Sequence, residues 1–376
     1  MPTKRRSSSK KSAPARKPAR AQASPRPVSL ALLAKLSEAA GVSGDETAVR
    51  QIVLAQVGKF AAETRVDSIG NLLVRCRTRG KARLRLMLAA HMDEVGLMIV
   101  RAGAEGLWKF ETVGGVDTQT LPGEIVWIGK ERIPGVIGGK PIHLMEKEEV
   151  EHPIKVDSLA IDIGAKDRET AAKRLHPGDR AVFATTFHSE RDILRGKALD
   201  NRLGVAALIE LAANPPPGIE LWAAFTVQEE IGLRGATVAA HTIDPQAAIV
   251  MDATPANDMP MWDGSESSLY NTKLGCGPAI YIADRRTISD PRLVRLLAEA
   301  GERKGIAFQY RQPGGGGTDA GAIHIARAGV PSVSVSVPCR SPHTPVSTAR
   351  LEDWRGLIEL VRAALEHLGR NGLDSH

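Results

Sequence analysis

Leu84-Arg85-Leu86-Met87-Leu88-Ala89-Ala90-His91-Met92-Asp93 is a short aliphatic run that stops on a histidine, with a carboxylate two residues on. Its length and composition read as a buried strand over 84–90. Three further runs end in the same way. Leu-Trp-Ala-Ala-Phe-Thr-Val (221–227) leads into Gln228-Glu229-Glu230, Ala-Ile-Val-Met (248–251) into Asp252, and Ser-Val-Ser-Val (334–337) into Pro338, shortly before His343. In open α/β sheets, chemistry gathers at the carboxyl ends of the strands. Two imidazoles and several carboxylates collected there would form a hard donor set suited to zinc, cobalt or manganese. The pattern points to a metallohydrolase.

Outward from these strands, α/β alternation surrounds a stretch of different texture. Leu30, Leu32, Leu33 and Leu36 mark one helical face, and Ser43-Gly44-Asp45-Glu46 supplies capping residues for a second helix through Val49, Ile52, Val53 and Val57. A hairpin is expected around Gly70-Asn71. From about 95 to 187, short alternating runs are cut by Gly and Pro roughly every ten residues, the rhythm of a small antiparallel β domain, with one helix at 169–175. Helices follow at 203–212, 291–304, 320–328 and 351–368. The expected organisation is a basic tail over 1–27, a discontinuous α/β catalytic domain over 28–94 and 190–370, and an inserted β-rich domain over 95–189.

The formal charge of +7 reports the tail rather than the body. Residues 1–27 hold nine Lys/Arg and no acid, which leaves 41 basic against 43 acidic residues elsewhere. A nucleic-acid-binding face on the folded body is therefore not indicated. The tail has almost nothing to bury and should be disordered; it is the one segment that could touch nucleic acid or anionic lipid. No run reaches the roughly 18 apolar residues of a membrane span. Three scattered cysteines, Cys76, Cys276 and Cys339, suit a reducing cytoplasm, and Cys339 reads as a buried thiol rather than a ligand.

Residue by residue, a ligating His91 needs its second ring nitrogen held, and Asp93 is the local choice. The adjacent carboxylates Glu229 and Glu230 repel unless a cation binds one and the other carries or takes up a proton. One of the two glutamates could ligate while its neighbour serves as general base for a bound water, and His91, Asp200, Asp252 and His343 are the further metal candidates. Taken alone, Asp200 is a plain helix N-cap, Asp252 a strand-end turn and His343 a loop histidine between Pro342 and Pro345. Their joint occurrence carries the reading. Gly314-Gly315-Gly316-Gly317-Thr318-Asp319 lacks the Lys-Ser/Thr ending of a phosphate loop, so it reads as a place for close backbone approach to a ligand.

Together these motifs resemble the M42 family of glutamyl-aminopeptidase-type metallopeptidases. The resemblance runs from about residue 30 to 368. It rests on Ser43-Gly44-Asp45-Glu46, Ala90-His91-Met92-Asp93-Glu94, Gly139-Lys140-Pro141, Asp162-Ile163-Gly164, Lys197-Ala198-Leu199-Asp200-Asn201-Arg202, Glu229-Glu230-Ile231-Gly232, Met251-Asp252 and Gly317-Thr318-Asp319-Ala320. It implies an α/β mixed-sheet di-metal peptidase domain with helices on both faces and an inserted small β-rich domain. It further implies a peptide substrate and two divalent metal ions per subunit, zinc or cobalt, activating a water. Asp200 would bridge them, with His91 and Asp252 on one metal and Glu230 and His343 on the other. Glu229 would be the base, and the peptide before Asn201 a site for the cis form. Similar proteins assemble through dimers into a hollow dodecamer. This chain departs in having Asn201 where many relatives have Asp, in Arg340-Ser341-Pro342 before the last histidine, and in its tail.

Competing readings are a related di-metal carboxypeptidase or deacylase, with Arg340 aimed at a substrate carboxylate, a glucanase that would leave both histidines without purpose, and a nucleic-acid-binding protein using the tail.

Overall fold

A computed structural model describes residues 29–265 and 271–373, so the basic tail lies outside the described residues. The strand Leu84–His91 sits in the middle of an 11-stranded mixed sheet. It pairs in parallel with Ile219–Thr226 on one side and Ala247–Pro255 on the other, and the latter pairs in parallel with Ser332–Arg340. Antiparallel strands close both flanks, with Ala61–Val66 and Leu72–Cys76 at one edge and Ser347–Arg350, Ile193–Gly196 and His188–Glu190 at the other.

The unbroken aliphatic run of the central strand has a direct cause: both its faces are covered. Leu84, Leu86, Leu88 and Ala90 pack with the helices Leu30–Glu38, Thr47–Val57, Leu199–Ala213, Pro291–Lys304 and Leu351–Asn371. Met87 and Ala89 point the other way, against Arg234–Ile243 and Ala320–Ile323. A parallel strand sandwiched between helices cannot alternate polar with apolar, and this one does not.

Register then sets the site. Thr226 lies opposite His91, and Val250 opposite Ala89, two residues before Asp252 and His91 respectively. The strand ends therefore present His91, Glu229-Glu230 and Asp252 at one edge of the sheet.

Immediately after that edge the chain enters a closed six-stranded barrel, Gly96–Ala102, Trp108–Val113, Ala160–Asp162, Ile133–Gly138, Ile125–Ile128 and Arg180–Phe183. Trp108, Phe110, Ile128, Ile161 and Phe183 fill a core of its own. Closure removes the edges that a small antiparallel sheet would otherwise expose.

Several local expectations shift. The helix expected at 320–328 stops at Ile323, because Arg327 and Gly329 take positive φ and Pro331 follows. The helix at 169–175 is the shorter Arg168–Ala172, and Lys147–Glu151 forms a helix that the patterning did not show. The helix expected at 203–212 begins at Leu199, with non-helical backbone at Asp200 and Asn201. Among the described residues no helix is long and apolar enough to cross a membrane.

Candidate functional site

The residues singled out in the sequence converge. His91 Nε2 lies 3.2 Å from Asp200 Oδ1 and 3.4 Å from Asp252 Oδ1, and His343 Nε2 lies 3.5 Å from Asp200 Oδ2 and 3.3 Å from Glu230 Oε2. Three groups could each hold an ion, their donor atoms lying within 4.8 Å of one another: His91, Asp200 and Asp252; Asp200, Glu230 and His343; and His91, Glu229 and Glu230. Asp200 belongs to two of them.

Backbone strain marks the same region. Ala198, Gln228, Leu233, Ser341 and His343 all have positive φ, although none is glycine. Such residues cost free energy and persist where surrounding structure over-determines them. The Asp200–Asn201 peptide is cis, and Asn201 Nδ2 donates to Met251 O at 2.9 Å.

Asp93 organises the floor. Its carboxylate, fully buried, accepts from Ser43 Oγ at 2.6 Å, Glu229 N at 3.0 Å and Glu230 N at 3.2 Å. It lies 3.4 Å from His91 Nδ1, within ion-pair range but without hydrogen-bond alignment, so that ring nitrogen has no hydrogen-bond partner. Ser43-Gly44-Asp45-Glu46, expected to cap the second helix, does something else. Glu46 caps through no side-chain bond; its Oε1 accepts from Gly44 N at 2.7 Å and Gln228 N at 3.2 Å, holding the turn that carries Glu229.

The electrostatics describe an excess of buried negative charge. Burial opposes a charged imidazole at His91, yet Glu229, Asp200 and Asp252 outweigh it and hold the ring well above its usual value. His343 behaves likewise, with Asp200 and Glu230 pushing it up to about 11 against burial. Burial raises Asp252 to about 7 and Asp319 to about 6, and it raises Glu229 well above the carboxylate range, Glu230 and Asp252 adding to it there. Protons at the histidines are doing what divalent cations would do better. The orphaned buried oxygen Asp200 Oδ1, on the residue that two of the groups share, agrees with that demand. The residues present therefore fit a pair of divalent cations.

Asp319, within the glycine-rich motif, escaped the sequence reading as a site residue. It is fully buried, accepts from Thr226 Oγ1 and acts electrostatically on Glu229. Cys339 is a buried, protonated thiol and belongs to none of the ligand groups. Arg340 is committed elsewhere, its Nε and Nη2 donating to Asp258 at 2.6 and 3.0 Å, so it does not supply the anion clamp that a carboxypeptidase reading asks of it.

The chain matches the M42 glutamyl aminopeptidase family over residues 70–360. It is 32% identical over 345 residues to the lysyl aminopeptidase of Pyrococcus furiosus, a match covering 90% of this chain and 96% of the relative. Its fold is similar to that of an aminopeptidase from the archaeon Desulfurococcus kamchatkensis, with a TM-score of 0.86, 31% identity, and 92% and 98% of the two chains covered. A Pyrococcus horikoshii TET1 peptidase that can assemble into a tetrahedron or a large octahedral shell matches with a TM-score of 0.77, 34% identity and 89% and 98% coverage.

Proposed function

Because the chain belongs to the M42 glutamyl aminopeptidase family and is an aminopeptidase, we propose that it releases N-terminal residues from peptides by two-metal hydrolysis at the His91–Asp200–His343 cluster. The observation that carries this reading is the pair of three-residue donor groups sharing Asp200. His91 and Asp252 would complete one cation's protein ligands, and Glu230 and His343 the other's. Oxygen and imidazole donors suit zinc, cobalt or manganese. When bound, such cations supply Lewis-acid polarisation of the scissile carbonyl and lower the pKa of water.

The remaining work falls to the chain. Glu229 lines the cavity but belongs to neither of the groups that share Asp200. Its raised carboxyl is suited to take a proton from the attacking water at Oε and return it to the leaving amine. Asp93 holds the Glu229 and Glu230 backbone and faces the His91 ring. Carboxylate oxygens at that end of the cavity that the cations leave free would receive the α-amino group, which selects peptides with free N-termini.

Copies of the chain would associate through the barrel. Ile125 and Val136, cross-strand neighbours on it, are 52% and 45% exposed, an apolar pair that a partner would cover. The shells formed by the Pyrococcus horikoshii relative support an oligomer of this kind. Three free thiols, two of them buried, accord with a reducing cytoplasm.

The test compares one short peptide with a free and an acetylated N-terminus, using protein reconstituted with zinc, cobalt or manganese. Release of the first residue from the free form alone is expected. Equal cleavage of both forms would overturn the amine-recognition reading in favour of a carboxypeptidase or deacylase.

A further inference from the structure

Resting on the aminopeptidase reading, we propose that the enzyme favours di- and tripeptides with a free C-terminus, their α-carboxylate received by Arg311 together with Arg285 and Arg286. Glutamyl and lysyl, in the names of the family and of one relative, refer to the first residue of a substrate. These arginines bear on its last.

The cavity of the site, of about 590 Å³, is lined by the acidic cluster and also by the three arginines and Gly315–Gly317. Arg311 is 5% exposed, and every group that holds it is neutral. Its Nη2 donates to Gly315 O at 2.6 Å, its Nε to Thr254 Oγ1 at 3.3 Å and its Nη1 to Gln312 O at 3.4 Å, and its guanidinium lies 4.6 Å from the Tyr281 ring centre. Among the described residues no carboxylate pairs with it. A buried cation without an anion is costly, and a ligand that brings the anion offsets the cost. Every peptide with a free C-terminus brings one, whatever its side chains.

Arg285 and Arg286 add cations to the same lining. Asp284 Oδ1 accepts from Arg286 N and Thr287 N, both at 2.7 Å, and Arg285 N donates to Gly316 O at 3.2 Å, which fixes their backbone beside the glycine run. Neither guanidinium has an ion-pair partner among the described residues. A Cβ at Gly317 would stand 2.6 Å from Arg286 Cγ, so the glycine there admits the arginine stem. The cavity thus carries acidic groups and unpaired cations together, as a zwitterion does.

The spacing sets the length of that zwitterion. Arg311 bonds Thr254, two residues beyond Asp252 on one strand, so Asp252 and Thr254 share a face roughly 7 Å apart. An extended peptide gains about 3.3–3.6 Å per residue. With its amine received at the acidic cluster, the terminal carboxylate therefore reaches Arg311 after two or three residues. A longer peptide carries its carboxylate past the arginines and leaves a neutral amide opposite them. A peptide entering the other way round would set carboxylate against carboxylate and ammonium against guanidinium. The same charges that choose the length also enforce the direction.

The test measures release of leucine from Leu-Ala-Ala and from Leu-Ala-Ala-Ala-Ala, each with a free and an amidated C-terminus, by the metal-reconstituted enzyme. The free tripeptide should exceed its amide by about 10- to 100-fold in kcat/KM, the range of a charge-assisted hydrogen bond. For the pentapeptide the two forms should agree within about threefold. Arg311→Gln and, in case that buried change harms folding, the exposed Arg286→Gln should each shrink the tripeptide ratio at least threefold. Equal use of free and amidated tripeptide would overturn the inference while leaving the aminopeptidase reading intact. A ratio as large for the pentapeptide would overturn the preferred length, and a ratio that neither substitution alters would overturn its assignment to these arginines. Glu-Ala-Ala-amide and Gln-Ala-Ala-amide complete the set: if the arginine substitutions act on that pair and not on the tripeptide ratio, the cations serve the first side chain and the inference falls. Cleavage of none of the leucyl peptides, or equal cleavage of acetyl-Leu-Ala-Ala, would overturn the aminopeptidase reading, and this inference with it.

Discussion

Two buried ionic clusters lie back to back in this protein, and they are built on opposite rules. In one, Glu94 accepts from Lys197 Nζ at 2.7 and 2.8 Å and from Arg202 Nη2 at 3.1 Å, while Lys197 also reaches Ala39 O and Arg202 reaches Leu36 O, Met92 O and Asp93 O. All three side chains are almost completely buried and every charge has a partner. In the other, Asp200, Glu230, Asp252, His91 and His343 crowd together with oxygens left over, burial pushing Glu230 and Asp252 upward while the two imidazoles hold Asp200 low. The first cluster carries one more cation than anion, and Arg202 feels Asp93 and Asp200 across the floor of the site. Satisfied charge fixes a loop; unsatisfied charge waits for something from outside.

The sharpest way to break that division is at Glu229, the member of the site that binds through no partner side chain. Glu229→Gln keeps the shape and removes the proton acceptor, so kcat should fall by about 10² to 10⁴-fold with metal content, measured by elemental analysis, unchanged. A rate within threefold of the parent would move the base elsewhere. On the other side, Glu94→Gln strands two buried cations. It should cost about 3–5 kcal/mol of stability in a urea titration. A cost below about 1 kcal/mol would mean that water, not Glu94, compensates them.

Metal removal separates the clusters by pH. Chelation should destabilise the protein by about 2.7 kcal/mol per cation site relative to cation held at a hundredfold excess over its Kd. His343 in the metal-free fold stands at about 11 against an ordinary 6.5, and Asp252 at about 7 against 3.8. Both are raised, so the folded state binds the extra proton. Their contribution is full below the ordinary values and is lost as pH rises through the folded ones. Chelated protein should therefore lose stability between pH 4 and 11 relative to loaded protein, whose cations replace those protons. A thermal-melting difference between the two forms that is flat across this range would contradict the electrostatic account.

How much of this was readable beforehand follows the range of the contacts. The four parallel strands and the residues at their ends were legible, since a strand buried on both faces leaves an uninterrupted aliphatic run and the site residue sits where that run stops. Ser43 and Glu46 were misread as capping residues because their partners, Asp93 and Gln228, are 50 and 182 residues away, and local chemistry alone favours a cap. The placement of Arg311, which lines the cavity of the site, left no periodic trace. It depends on Ala279–Tyr281 and Gln309–Arg311, three-residue strands that pair in parallel across thirty residues and bring Arg311 onto Tyr281. Runs that short are shaped by the sheet they join.

Asp93 sits on the border between the clusters, and Ser43→Ala asks to which it belongs. Its carboxyl is lowered despite burial, through His91, Ser43 and the Glu229 backbone, whereas Glu229, Glu230 and Asp252 around it are raised. By that measure Asp93 is a satisfied charge inside an unsatisfied site. Losing the Ser43 hydroxyl leaves the two backbone donors at Glu229 and Glu230 in place. The substitution should therefore cost about 1–2 kcal/mol of stability, near the lower end for a hydrogen bond to a charged group, and hold kcat within tenfold of the parent. A drop in kcat beyond a hundredfold at unchanged stability and metal content would place Asp93 among the working groups, and would show that the position of Glu229 depends on all three donors rather than on the two its own turn provides.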